Sequence, residues 1–214
     1  MHKGYQFMGM LIVLMGLSTT VTWAQAYSAN GSSTRQEPSP ETTTHKPAYL
    51  RLGVGTTYEI TGGYRCERLA LEYAPTLTNH LGLASRVAFV FGKPTDKLER
   101  QVPNQNYKAG YIEQEAIFYP FGTDKKILFG LGGGFLGYYK KNTYSSFSAV
   151  AGTLKDYTLA AHDGFHGGYL LSLNLDMAVG TAQRWRIGLR SSIQNGTGGN
   201  TTSPTHSLTF ARRL

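Results

Sequence analysis

Residues 169–179 read Tyr169-Leu-Leu-Ser-Leu-Asn-Leu-Asp-Met-Ala-Val179. Successive side chains of a strand point to opposite faces, so Tyr169, Leu171, Leu173, Leu175, Met177 and Val179 share one face while Ser172, Asn174 and Asp176 share the other. One face is apolar and the other polar. The stretch alone leaves two orientations open: in a soluble sheet the apolar face meets a core, and in a membrane barrel it meets lipid. The rest of the chain decides between them.

The same period of two recurs in eight segments, roughly 48–60, 66–78, 81–92, 109–121, 126–140, 166–179, 184–195 and 204–213. The connections after the second, fourth and sixth segments are short: Asn79-His80, Gly122-Thr-Asp-Lys125 and Gly180-Thr-Ala-Gln183. Those at the opposite end are mostly long, covering 92–108, 141–165 and 196–203, with only Thr61-Gly-Gly-Tyr64 short. An even number of strands, tight turns at one end and long loops at the other is the plan of an outer-membrane barrel.

Sorting the segments by parity separates two sets of side chains. One holds Leu50, Leu52, Val54, Leu69, Leu71, Val87, Phe89, Ile112, Phe118, Ile127, Leu131, Phe135, Ile187, Leu189, Leu208 and Phe210, with Gln114 a blemish. Tyr58, Tyr73, Tyr139, Tyr169 and Trp185 stand toward its strand ends, where aromatic girdles meet lipid headgroups. The other set mixes Gly and Ala with charges of both signs: Arg51, Arg68, Arg86, Arg186 and Arg190 against Glu59, Glu72, Glu113, Glu115 and Asp176. A water-facing sheet surface carries more Lys and has little need of successive Gly and Ala. An eight-stranded lumen is just wide enough to be filled by side chains, so small residues there make room for arginines paired with carboxylates. These ten residues are therefore expected to form a structural ion-pair network inside the barrel.

The formal charge of +8 raises nucleic acid as a partner, but the basic residues form no run or helix face. Many Gly and Tyr and few charged residues suit turns and strands better than helices. The N-terminus has Lys3, the apolar run Met8–Leu17 and Ala24-Gln25-Ala26, the pattern of a cleaved secretory signal over 1–26. Export also argues against nucleic acid. Residues 27–47 are Ser, Thr, Pro, Asn and Gln with almost no large apolar side chain, so they are expected to be a disordered periplasmic lead-in to a barrel domain at 48–214. Cys66 is the sole cysteine, so neither an intrachain disulfide nor a thiolate metal site is available, and its place far from the cleavage site argues against lipidation.

With its signal peptide, eight alternating segments, loop asymmetry and phrases such as Leu69-Ala-Leu-Glu-Tyr-Ala-Pro-Thr-Leu-Thr78 turning into Leu81-Gly-Leu, the chain resembles the small eight-stranded outer-membrane barrels and porin-family proteins of Gram-negative bacteria, a group that includes the membrane domain of outer membrane protein A. The resemblance covers about residues 48–214. It implies an all-β, antiparallel transmembrane barrel in the outer membrane. One departure is the ending Phe210-Ala-Arg-Arg-Leu214, where the family commonly closes on an aromatic residue.

Chemistry finds little purchase. Lipid-deacylating barrels resemble serine hydrolases with His and Ser two residues apart on one lipid-facing strand, whereas His206 and Ser207 are adjacent and face opposite ways. His162-Asp163-Gly-Phe-His166 could offer ligands to a metal, but its spacing in a loop is undiagnostic. Gly130-Leu-Gly-Gly-Gly134 lacks the Lys-Ser/Thr of a phosphate loop, and Glu113 with Glu115 suits ion pairs better than acid–base work. No catalytic, cofactor or metal residue is assigned, and the protein is not expected to be an enzyme.

The expected function is that of a monomeric outer-membrane barrel with a filled lumen and no wide pore, in contact with membrane lipid. It would act structurally or through its loops, 92–108 and 141–165, on other envelope or host-surface molecules; Tyr144, Phe147, Tyr157 and Phe165 lie in the longer one. The alternative is a soluble, exported, lipocalin-like barrel with an apolar ligand, which would turn Leu173 inward and Asp176 to water. A lipid-modifying envelope enzyme ranks lower.

Overall fold

A computed structural model describes residues 46–59, 63–96, 99–150, 153–180, 183–196 and 202–214. The signal peptide, and the lead-in up to residue 45, lie outside the described residues. Eight strands run β1 (Ala48–Glu59), β2 (Tyr64–Pro75), β3 (Leu81–Pro94), β4 (Asn106–Phe118), β5 (Ile127–Val150), β6 (Thr153–Val179), β7 (Trp185–Gly196) and β8 (Thr202–Arg213). Each pairs antiparallel with its neighbour in the chain, and β8 pairs with β1 to close the barrel. Closure leaves the barrel wall without an unpaired edge.

Burial alternates along the barrel segments, as on β2 and β3. The outward side chains are the apolar set: Leu52, Leu71, Phe89, Leu131, Leu173, Leu189 and Phe210 all stand exposed on the barrel surface. The charged set is buried in the lumen. Leu173 is 51 % exposed and Asp176 only 2 %. The lipocalin-like alternative needed the reverse, and the direction of the pleat overturns it. Tyr58, Tyr73, Tyr139, Tyr169 and Trp185 all face outward.

The loops differ from expectation. The 141–165 connection is not a loop: β5 and β6 run on as a two-stranded ribbon, in register from Lys141↔Asp163 through Phe147↔Tyr157, with an irregularity at Ser148/Ala149. Its in-barrel neighbours end earlier, since β4 pairs with β5 only as far as Thr143, and β7 with β6 only from Gly168. Ribbon residues therefore have water on both faces, and the one-sided alternation that marks the barrel segments fades there. The 92–108 connection is also shorter, because β3 continues to Pro94, β4 begins at Asn106, and a 3₁₀ turn (Glu99–Gln101) lies between them.

Candidate functional site

One register row runs across the inner wall of four strands as Arg51↔Glu72↔Arg86↔Glu113, so opposite charges stand directly across from each other on β1, β2, β3 and β4. Opposed pairs of this kind are the unit of sheet stabilisation. Arg51 donates to Glu72 at 3.1 Å and to Asp176 on β6 at 2.8 Å. Arg86 sits at the hub, in contact with Glu72, with Glu113 at 2.5 Å and with Glu115 at 3.3 Å. Arg68 donates to Glu113 at 2.5 Å, and Arg190 on β7 reaches Glu115 and lies 3.9 Å from Glu72. Four guanidiniums thus meet four carboxylates in one connected, charge-balanced plug.

Neutral groups extend it, although Arg51 Nε and Arg68 Nη1 stay without a hydrogen-bond partner. Gln194 donates to Glu113 at 2.7 Å, Ser172 to Glu115, Arg190 to Asn174 at 3.0 Å, and Asn174 to Ser172 at 2.9 Å. A buried ion pair is tolerable only when its remaining lone pairs and protons find partners in this way. Gly132 and Gly188 make the room, since a Cβ at Gly132 would run into the Glu115 carboxylate and Ser172, and one at Gly188 into Asp176 and Thr209.

Eight of the ten lumen residues expected from the sequence are joined by these contacts. The other two lie at the ends of the lumen. Arg186 is at the tight-turn end, donating to the Tyr49 hydroxyl at 3.3 Å with its guanidinium 5.4 Å from the ring. Glu59 is buried at the other end, lining a small cavity with Tyr107, Tyr111 and Gln194.

Two apolar layers close the plug from above and below; parity sorting assigns only Tyr119 of their large side chains, to the Glu113 and Glu115 face. At the ribbon end, Tyr64, Cys66, Val90, Tyr107, Tyr111, Leu136 and Leu170 pack together; at the tight-turn end, Tyr49, Ile117, Tyr119 and Leu128 do. Arg68 lies 5.4 Å from the Tyr111 ring, tying the plug to the upper layer. The signal was present: Tyr107, Ala109 and Tyr111 have the same parity as Glu113 and Glu115. Two lumen cavities, one under Tyr107 and one beside Arg51 and Arg190, hold about 10 Å³ each, room for about one water apiece.

Two pairs of polar residues stand on the outer wall. Ser85 Oγ donates to Gln114 at 2.7 Å, which accounts for the Gln114 blemish, and Ser191 Oγ stands 3.0 Å from His206 Nδ1 across β7 and β8. His206 faces outward and Ser207 inward, so the partner of His206 is a residue that only the register could supply. In the ribbon, His162 and His166 share a face while Asp163 points the other way and accepts the Tyr139 hydroxyl at 2.7 Å. His166 stacks on Tyr138 with ring centres 5.2 Å apart, and partial burial beside Lys140 and His162 holds its imidazole below the usual range. The three residues do not converge on a common point.

No protein-family model and no curated protein matches the chain. Among solved structures it is similar to Neisserial surface protein A (TM-score 0.50, 14 % identity, 80 % of this chain and 98 % of that one). It is also similar to the outer membrane protein OprG from Pseudomonas aeruginosa (TM-score 0.49, 13 % identity, 79 % and 97 %) and to Ail, the attachment invasion locus protein of Yersinia pestis (0.47, 13 %, 79 % and 97 %). At such identities the likeness concerns the fold: a closed, all-antiparallel eight-stranded barrel of the small outer-membrane type.

Proposed function

We propose that the protein is an integral outer-membrane barrel, exported by its N-terminal signal, that conducts little or nothing and presents the β5–β6 ribbon outside the membrane as its interaction surface. The supporting observation is the inverted distribution of polarity: Leu, Phe, Ile and Val cover the outside of the wall while Arg–Glu and Arg–Asp pairs fill its inside. In water the outer face would be one continuous apolar patch, far beyond the few hundred Å² that soluble monomers expose. In lipid it is the favourable arrangement.

The plug makes the barrel a scaffold rather than a channel. Passage of an ion would require parting Arg86 from three carboxylates at once. The ribbon carries exposed Tyr144, Tyr157, Leu159 and Phe165, aromatic and aliphatic groups of the kind that anchor protein contacts. The Ser191–His206 pair serves to satisfy two polar groups on an apolar wall, and the protein is non-catalytic.

Fractionation of expressing cells, followed by gels of the outer-membrane fraction with and without boiling, tests the membrane assignment. A heat-shifted band in that fraction is expected. A periplasmic protein with no shift would refute it. Planar-bilayer recording of the same folded protein should show no sustained porin-size current, and steady large conductance would refute the plug.

A further inference from the structure

At the ribbon end the outward face of the wall carries cations on four consecutive strands. Arg65 on β2, Lys93 on β3, Lys108 on β4 and Lys141 on β5 are all exposed and belong to the outward parity. Arg65 lies directly across from Lys93, and Lys108 directly across from Lys141. Like charges opposed across a strand pair repel and destabilise the sheet. Among the described residues none of the four makes an ion pair. Glu67 faces outward one step below, and Asp163, across from Lys141, gives its carboxylate to the Tyr139 hydroxyl.

Each cation stands at the rim of the aromatic girdle. Arg65 is across from Tyr58, Lys108 is across from Phe91, Lys93 is two residues above Phe91, and Lys141 two above Tyr139. The outer ends of β7, β8 and β1 show instead Asn195, Thr202, Thr56 and Tyr58. General snorkelling of long side chains would not favour four consecutive strands over the rest, nor set two like-charge pairs face to face.

We propose that Arg65, Lys93, Lys108 and Lys141 form a belt that binds the phosphate groups of lipid in the leaflet on the ribbon side. An anionic phosphate between Arg65 and Lys93, and another between Lys108 and Lys141, turns each repulsive pair into a two-pronged clamp, while the acyl chains lie against Phe89, Phe91 and Ile112 below. The belt rests on the membrane reading above. It adds to it a lipid class and a side of the barrel.

The test uses the full folded protein in phosphatidylcholine vesicles carrying spin-labelled phosphatidic acid or spin-labelled phosphatidylcholine, with electron paramagnetic resonance reporting the lipid held at the protein surface. The native protein should prefer phosphatidic acid by at least about fivefold at low salt. The fourfold variant R65Q/K93Q/K108Q/K141Q should lose most of that preference while keeping its heat-shifted band, and R184Q/R212Q, at the other rim, should keep the preference. Equal preference in the native and fourfold variants, or a loss as large in R184Q/R212Q, overturns the belt while leaving the barrel in place. Absence of any surface-held lipid together with absence of the heat shift overturns the membrane reading and the belt with it.

Discussion

Strand β6 contains two regions that obey different rules. From Gly168 to Val179 it has partners on both sides, β5 and β7, and every second residue from Gly168 to Asp176 is buried. From Thr153 to Gly167 it pairs with β5 alone, and Tyr157, Leu159 and Phe165 are exposed beside Lys155, Asp156 and His162. The backbone is extended in both. The difference teaches that alternation records a wall with two unlike sides rather than strand geometry itself, since a segment with water on each face has no side on which to put its apolar residues.

Substitutions can break that comparison, beginning at the plug. Arg86→Met leaves Glu72, Glu113 and Glu115 short of their shared cation, and removing one member of a buried pair costs about 3–5 kcal/mol. The urea midpoint of the heat-shifted band should fall accordingly, and adding Glu113→Gln should recover part of the loss. On the outer face of the same region, Leu173→Arg places a charge in mid-bilayer and should lower the folded stability in lipid by about 2–4 kcal/mol. An unchanged folded fraction would sink the assignment of that face.

Gly188→Val should cost about 1–3 kcal/mol in the same assay, because its Cβ meets the Asp176 carboxylate and Thr209 and forces the plug to shift. In the ribbon the same kinds of change should do little. Leu159→Arg is expected to move the midpoint by less than about 0.5 kcal/mol, as surface substitutions do. Smallest of all, shortening the ribbon to a tight turn joining Tyr144 to Thr158 should leave the midpoint and heat shift unchanged while abolishing any adhesion the protein confers on cells. A shortened protein that fails to fold would show that the ribbon belongs to the barrel's stability.

Much of the barrel is legible in the sequence for the same reason. Wherever one face meets side chains and the other meets lipid, as in Leu81–Phe91 or Trp185–Ile193, parity alone assigns both faces. The charged plug is legible as a set of residue types, but its pairings are not. That Arg51, Glu72, Arg86 and Glu113 form one row depends on the register between strands, which the turns and bulges settle and a single strand's pattern does not show. Tyr111 and Leu170 are apolar on a polar face, a placement that follows from the need to seal the lumen above the ions, and Tyr107 falls in what the sequence presents as the 92–108 loop. The Ser191–His206 and Ser85–Gln114 pairs were hidden for the same reason as the row.

The most direct test of the two-faced wall is fluorescence quenching at position 173. In a Trp185→Phe background, Leu173→Trp folded in vesicles should be strongly quenched by lipids brominated in mid-chain and little by iodide in the water, while Leu159→Trp should show the reverse. A tryptophan at 173 that iodide quenches and brominated lipid does not would mean that Leu173 faces water or a cavity, and would contradict the account at its centre.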